Sequence, residues 1–164
     1  MAPDKRAPVS VKAVLGDPVC LLAFGLGFGL MPVAPGTFGT LLGIPIYWAL
    51  VAAPPWAYGL VLALLFGAGI PLCSVCQKRL GIQDHSGIVW DEIVGVLITL
   101  WGAEPTWRNV AIGFVLFRLF DVLKPWPIRL LDRRMHGGLG IMLDDALAGT
   151  FGWVVFRALE PLLS

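Results

Sequence analysis

Apolar residues run in long blocks through the first half of this chain, and charge returns abruptly after them. Residues 18–77 contain no Asp, Glu, Lys, Arg or His. Residues 1–17 ahead of that block are polar, include Pro3 and Pro8, and read as a disordered or loosely docked tail. The apolar stretch 19–30 carries Gly25, Gly27 and Gly29 at alternate positions. Glycine there weakens a helix, so the pattern predicts a frayed helix running into a loop at 31–36. Thr37 is then expected to cap a helix that reaches about residue 53 and bends at Pro45. Pro54 and Pro55 stop it. Residues 56–72 form a second apolar helix, near the lower length limit for crossing a hydrocarbon core of ~30 Å.

Beyond residue 77 the pattern predicts helices over 88–101 and 107–123, the latter ended by Lys124-Pro125-Trp126-Pro127. A short helix over 128–135 leads into a Gly137-Gly138-Leu139-Gly140 turn, and a last helix covers 143–163. No stretch alternates at period two between turn signals, so strands are not expected. The expected fold is all-α: one compact helical bundle over 18–164, with the apolar hairpin able to insert in a membrane. A buried hairpin in a soluble oligomer fits the same pattern. In the membrane reading, the basic N-terminus and Lys78-Arg79 both face the cytoplasm.

Composition sharpens this picture. Mean hydropathy is +0.81 and charged residues make up 14%, against about 25% in ordinary soluble domains. The excess points to a membrane partner or to self-association as a homo-oligomer. Net charge is +1, with the basic residues scattered among acids, which argues against a nucleic-acid partner. Cys20, Cys73 and Cys76 give an odd count without secreted-domain spacing, so no disulfide framework is expected. Asp17-Pro18 and the Met31-Pro32 break interrupt any signal-like stretch, and the chain is expected to begin near Met1.

The chemistry-bearing residues lie after the charge-free block. Asp84, Asp91 and Glu92 fall within Asp84-His-Ser-Gly-Ile-Val-Trp-Asp-Glu92. Asp84 or Ser86 suits a helix cap, but Asp91 and Glu92 sit between Ile88-Val89-Trp90 and Ile93-Val94. Adjacent acids in such a run need a cation or a water-filled pocket. Arg118, Asp121 and Lys124 share one helix face three residues apart, flanked by Phe114 to Phe117 and Val122-Leu123. A solvated ion pair is the ordinary reading, whereas an inward face could hold both a metal and a phosphate. Asp144 and Asp145 follow the glycine turn, where the helix dipole alone could favour acids. Gly36 and Thr37, in Ala34-Pro-Gly-Thr-Phe-Gly-Thr40, could offer amides and a hydroxyl to phosphate, although capping also explains them and no P-loop lysine is present. Cys73 and Arg79 have the spacing of cysteine phosphatases but read as helix interior. The CxxC of Cys73 and Cys76 lacks the partners of a zinc site. His85 and His136 read as surface or supporting residues.

Taken together, Ala34-Pro-Gly-Thr-Phe-Gly-Thr40, Ile88-Val-Trp-Asp-Glu-Ile-Val-Gly95, Phe117-Arg-Leu-Phe-Asp-Val-Leu-Lys-Pro-Trp-Pro127 and Gly137-Gly-Leu-Gly-Ile-Met-Leu-Asp-Asp145 closely resemble the phosphatidylglycerophosphatase A family. Cys73 and Cys76 stand where that family usually has charged or small residues, which removes no acid. The resemblance implies an all-α, Mg2+-dependent lipid phosphatase of the bacterial cytoplasmic membrane. Such an enzyme converts phosphatidylglycerophosphate to phosphatidylglycerol and phosphate in phospholipid biosynthesis. The active site would face the cytoplasm.

On that reading Asp91, Glu92, Asp121, Asp144 and Asp145 are the expected Mg2+ ligands or water-orienting bases, with Asp84 a weaker catalytic candidate. Arg118 and Lys124 would grip the substrate phosphate, assisted by Gly36 and Thr37, and the lipid tails would follow the apolar 41–72 region. The contrasting expectation is a non-catalytic membrane protein or transporter subunit, which also buries acids between helices. It predicts acids inside the spanning segments rather than after them. The D-G-x-x-A-R pattern of phosphatidyl transferases and the motifs of histidine lipid phosphatases are missing.

Overall fold

The computed structural model describes residues 9–83, 85–130 and 135–163. Asp84, one of the candidate acids, therefore lies outside the described residues, as do 131–134. Two short helices, α1 (Val11–Leu15) and α2 (Pro18–Ala23), lead through a 3-10 turn at Phe28–Leu30 into α3 (Pro35–Leu50). Then come α4 (Pro55–Leu80), α5 (Trp90–Thr99), α6 (Trp107–Leu123) and α7 (Gly137–Leu163). No strand occurs among the described residues, as the pattern predicted.

Local chemistry explains most boundaries. Asp17 accepts from the amides of Val19 and Cys20 and starts α2 ahead of Pro18, so part of the expected tail is helical and docked, with Val14 buried. Thr106 accepts from the Asn109 amide and starts α6. Gly81, at φ 65, ends α4 by a left-handed cap. Other boundaries depart from expectation. α3 starts at Pro35 behind Ala34, so Thr37 lies inside its first turn instead of capping it. α4 continues through Pro71 to Leu80, 26 residues in all, or about 39 Å at ~1.5 Å per residue. The Gly137-Gly138 pair opens α7 rather than forming a separate turn, because Ser74 on α4 accepts from the Gly138 amide.

α5 and α7 form the centre, with α3, α4 and α6 packed around them. Close approach is possible because small residues line the seams. A methyl added at Gly149 of α7 would lie 2.4 Å from the Gly95 carbonyl oxygen of α5, and one at Gly43 of α3 would lie 2.3 Å from Val96. Thr99 bridges the α5–α7 crossing by donating to the Gly149 carbonyl. At one end of the bundle, aromatic groups hold the elements together. Tyr47 donates to the Ala103 carbonyl and Tyr58 to that of Leu97, while Trp153 donates to the Trp101 carbonyl. Buried phenols require such partners.

α4 and α7 are both long and apolar enough to cross a membrane. α4 presents Trp56, Leu60 and Leu64 outward, whereas α7 is much more enclosed by its neighbours. The cysteine expectation is corrected here: Cys20 of α2 and Cys76 of α4 are joined by a disulfide, leaving Cys73 free and buried. Asp17 and Arg79 pair at 2.7 Å between the same two helices.

Candidate active site: a carboxylate pocket at one end of the bundle

Five of the six acids singled out from the sequence meet in one pocket. Asp91 and Glu92 enter from the first turn of α5, Asp121 from the last turn of α6, and Asp144 and Asp145 from α7. The pocket, of about 130 Å³, is also lined by Lys124, His85, Ser86, Ile88, Met135, Gly140 and Ile141. One carboxylate oxygen from each of Asp91, Glu92 and Asp145 lies within 4.8 Å of the other two. Asp91, Asp144 and Asp145 are buried.

Two of the acids already have cations. Arg118 donates to Asp121 at 2.5 Å, and Lys124 pairs with Asp144. The remaining oxygens do not fare so well. Asp91 Oδ1, Glu92 Oε2 and Asp145 Oδ2 are buried without a hydrogen-bond partner. Buried carboxylates without partners are costly. Burial therefore pushes the Asp91 carboxyl up to about 7. It raises Glu92 well above the usual range too, with the nearby Asp91 and Asp145 charges adding to the effect. A hard divalent cation would relieve both the desolvation and the mutual repulsion, and an all-oxygen donor set suits one. The residues present fit such an ion.

The N-terminus of α3 closes one side. Gly36 is pressed against the pocket residues: a methyl there would lie 2.3 Å from Glu92 Oε1 and 3.0 Å from Arg118 Nη1. Thr37, a predicted phosphate ligand, is half-buried and does not line the pocket. Sequence reasoning underrated His85. Its Nδ1 accepts from the Gly87 amide at 2.9 Å, which leaves Nε2 carrying the proton in the neutral ring. The adjacent His85-Ser86-Gly87 turn was the available signal.

Comparison with known proteins agrees with this arrangement. The phosphatidylglycerophosphatase A family profile matches residues 21–160. A phosphatidylglycerophosphatase A of Escherichia coli is 51% identical over 138 residues, covering 82% of this chain and 79% of the relative. One from Haemophilus influenzae is 42% identical over 152 residues, covering 91% and 93%. A Bacteroides thetaiotaomicron protein with the provisional name phosphatidylinositol-3-phosphatase is 36% identical over 144 residues, covering 82% and 89%. No solved structure gives a significant match. The profile spans every element that supplies a pocket acid, and the chain belongs to the phosphatidylglycerophosphatase A family.

Proposed function

We propose that this chain is a Mg2+-dependent phosphatase that hydrolyses phosphatidylglycerophosphate to phosphatidylglycerol and phosphate at a membrane surface. The observation that carries it is the trio of buried carboxylate oxygens without partners on Asp91, Glu92 and Asp145, with Arg118 and Lys124 paired to the neighbouring acids. Family membership supports phosphomonoester hydrolysis over the non-catalytic alternative. The placing of the acids divides: Asp91, Glu92 and Asp121 lie outside both apolar helices long enough to span, whereas Asp144 and Asp145 lie within the second of them, about two turns from its start.

In this mechanism Asp91, Glu92 and Asp145 would hold the ion, with Asp121 and Asp144 beside them. Mg2+ bound there would supply Lewis-acid charge that offsets the phosphoryl oxygens. Arg118 offers a planar fork to two phosphate oxygens, and Lys124 adds a compact charge from the other side. Water adds across the ester bond: its oxygen goes to phosphorus, and the bond from phosphorus to the glycerol oxygen breaks. A pocket carboxylate accepts the water proton and returns it to the departing alkoxide, so the step closes without a further proton source.

Orientation follows from charge. Lys12, Lys78, Arg79, Arg118, Lys124 and Arg129 belong to the segments around the pocket. The opposite end carries Glu104, Arg108, Arg157 and Glu160. This bias favours the pocket end in the cytoplasm. The test is phosphate release from phosphatidylglycerophosphate with Mg2+ and with EDTA, alongside phosphatidylinositol 3-phosphate and glycerol 3-phosphate. Mg2+-dependent release, fastest from phosphatidylglycerophosphate, is expected. Release insensitive to EDTA would remove the metal, and no release from any of the three would remove the reading.

A further inference from the structure

Beside the carboxylate pocket runs a larger groove of about 430 Å³, lined chiefly by Val9, Val11, Leu30, Met31 and Val33. His85 and Ser86 line both spaces, so the groove opens onto the site through them. The 3-10 turn that forms its floor is pressed directly on this loop: a methyl at Gly29 would lie 1.9 Å from the Gly87 carbonyl oxygen. Pro32 and Pro35 stiffen the lip. Val33 is 73% exposed and Leu26 62%, and Val11, Leu15, Leu22, Phe28 and Met31 add to an uncovered apolar ledge around it. The neighbouring pocket is small and lined by charged side chains, the groove larger and lined mostly by apolar ones, with backbone polar groups exposed between them.

We propose that this groove binds the glycerol and the first part of the acyl chains of the lipid phosphate, while its phosphate lies in the carboxylate pocket. The inference rests on the phosphatase reading above and gives the lipid body a path distinct from the outer faces of α3 and α4. Three features single out an amphiphile as the occupant. The two spaces adjoin, the lining side chains change from charged to apolar across His85 and Ser86, and the ledge lies open at the same end of the bundle as the cations. A polar headgroup on an apolar body matches that change of polarity.

The experiment compares the full chain with a Met31→Gln/Val33→Asn variant in mixed micelles, using dihexanoyl and dioleoyl phosphatidylglycerophosphate. The variant should raise the long-chain KM about tenfold and shrink the long-to-short preference in kcat/KM to below about threefold. Equal losses on both substrates, or no change, would overturn the proposal. A second readout does not need turnover. A phospholipid with a diazirine in its tail should label residues 29–35, and unlabelled phosphatidylglycerol should compete. Labelling confined to Leu60 and Leu64 on α4 would sink the groove. So would a photoreactive side chain at position 33 that captures residues 1–8 or a second copy of the chain. If the protein releases no phosphate yet the probe still labels 29–35 competitively, the groove stands and the phosphatase reading fails.

Discussion

Lys124 adopts a left-handed backbone, φ 43, where a side chain costs about 1–2 kcal/mol relative to the right-handed form. The conformation caps α6 and at the same time turns the ammonium group onto Asp144. Strain at this residue coincides with a pocket contact, as at many functional sites. Replacing Lys124 with Gln is expected to raise KM about tenfold by removing one phosphate contact. Arg118→Lys keeps the charge but loses the fork, and a similar rise in KM should follow in steady-state assays. Asp91→Asn and Asp145→Asn remove members of the close carboxylate trio. Each should lower kcat by about a hundredfold or more. Near-full activity in both would reject the site.

At the scale of elements, the tight seams and the α2–α4 clasp make the clearest predictions. Gly149→Leu forces a side chain onto the α5 backbone and should cost about 1–3 kcal/mol of stability, read as an earlier thermal transition in detergent. The Arg79 guanidinium beside Asp17 holds that carboxyl below its usual value, an effect opposed in part by desolvation. Asp17 therefore contributes stability above its unfolded pKa of about 3.9, and the contribution fades as pH falls through the lowered folded value. The gap in melting temperature between the native chain and Arg79→Gln should be present at neutral pH and narrow as pH falls below the ordinary Asp value of about 3.9.

The helix boundaries also show what could be read in the sequence. α6 was legible to the residue because Thr106 and the Lys124-Pro125 stop act locally. The start of α7 was not, since its glycines pack on Ile70 and Ser74, and that contact exists only after folding. The Cys20–Cys76 pairing was hidden for the same reason, as it depends on α2 docking against α4. Among the pocket acids, Asp91, Glu92, Asp121, Asp144 and Asp145 were legible because charge is so scarce around them. The motif around Thr37 also serves the α3–α5 seam, where Gly36 lies against Glu92 and Arg118 and Gly39 against Val89, contacts that exist only after folding.

For the molecule as a whole, the pocket acids and most of the described cations gather at one end, while Trp101, Trp107 and Trp153 lie toward the other, where aromatic rings suit a membrane interface. The uncovered apolar faces of α4 and of α6, with Val115, Leu119 and Val122 outward, suit lipid contact. The protein should stay with membranes through an alkaline carbonate wash and leave them in detergent; full release by carbonate would contradict insertion. Five carboxylates and Lys124 line the pocket, and Arg118 pairs with Asp121 from behind its wall. Stripped of divalent ions, the raised Asp91 and Glu92 carboxyls favour their protonated forms and both cations stay paired with acids, so the cavity offers little to attract free phosphate, the product it would form. Phosphate inhibition should therefore strengthen as Mg2+ is raised, so that the ion acts as a gatekeeper for the leaving product as well as for the incoming lipid.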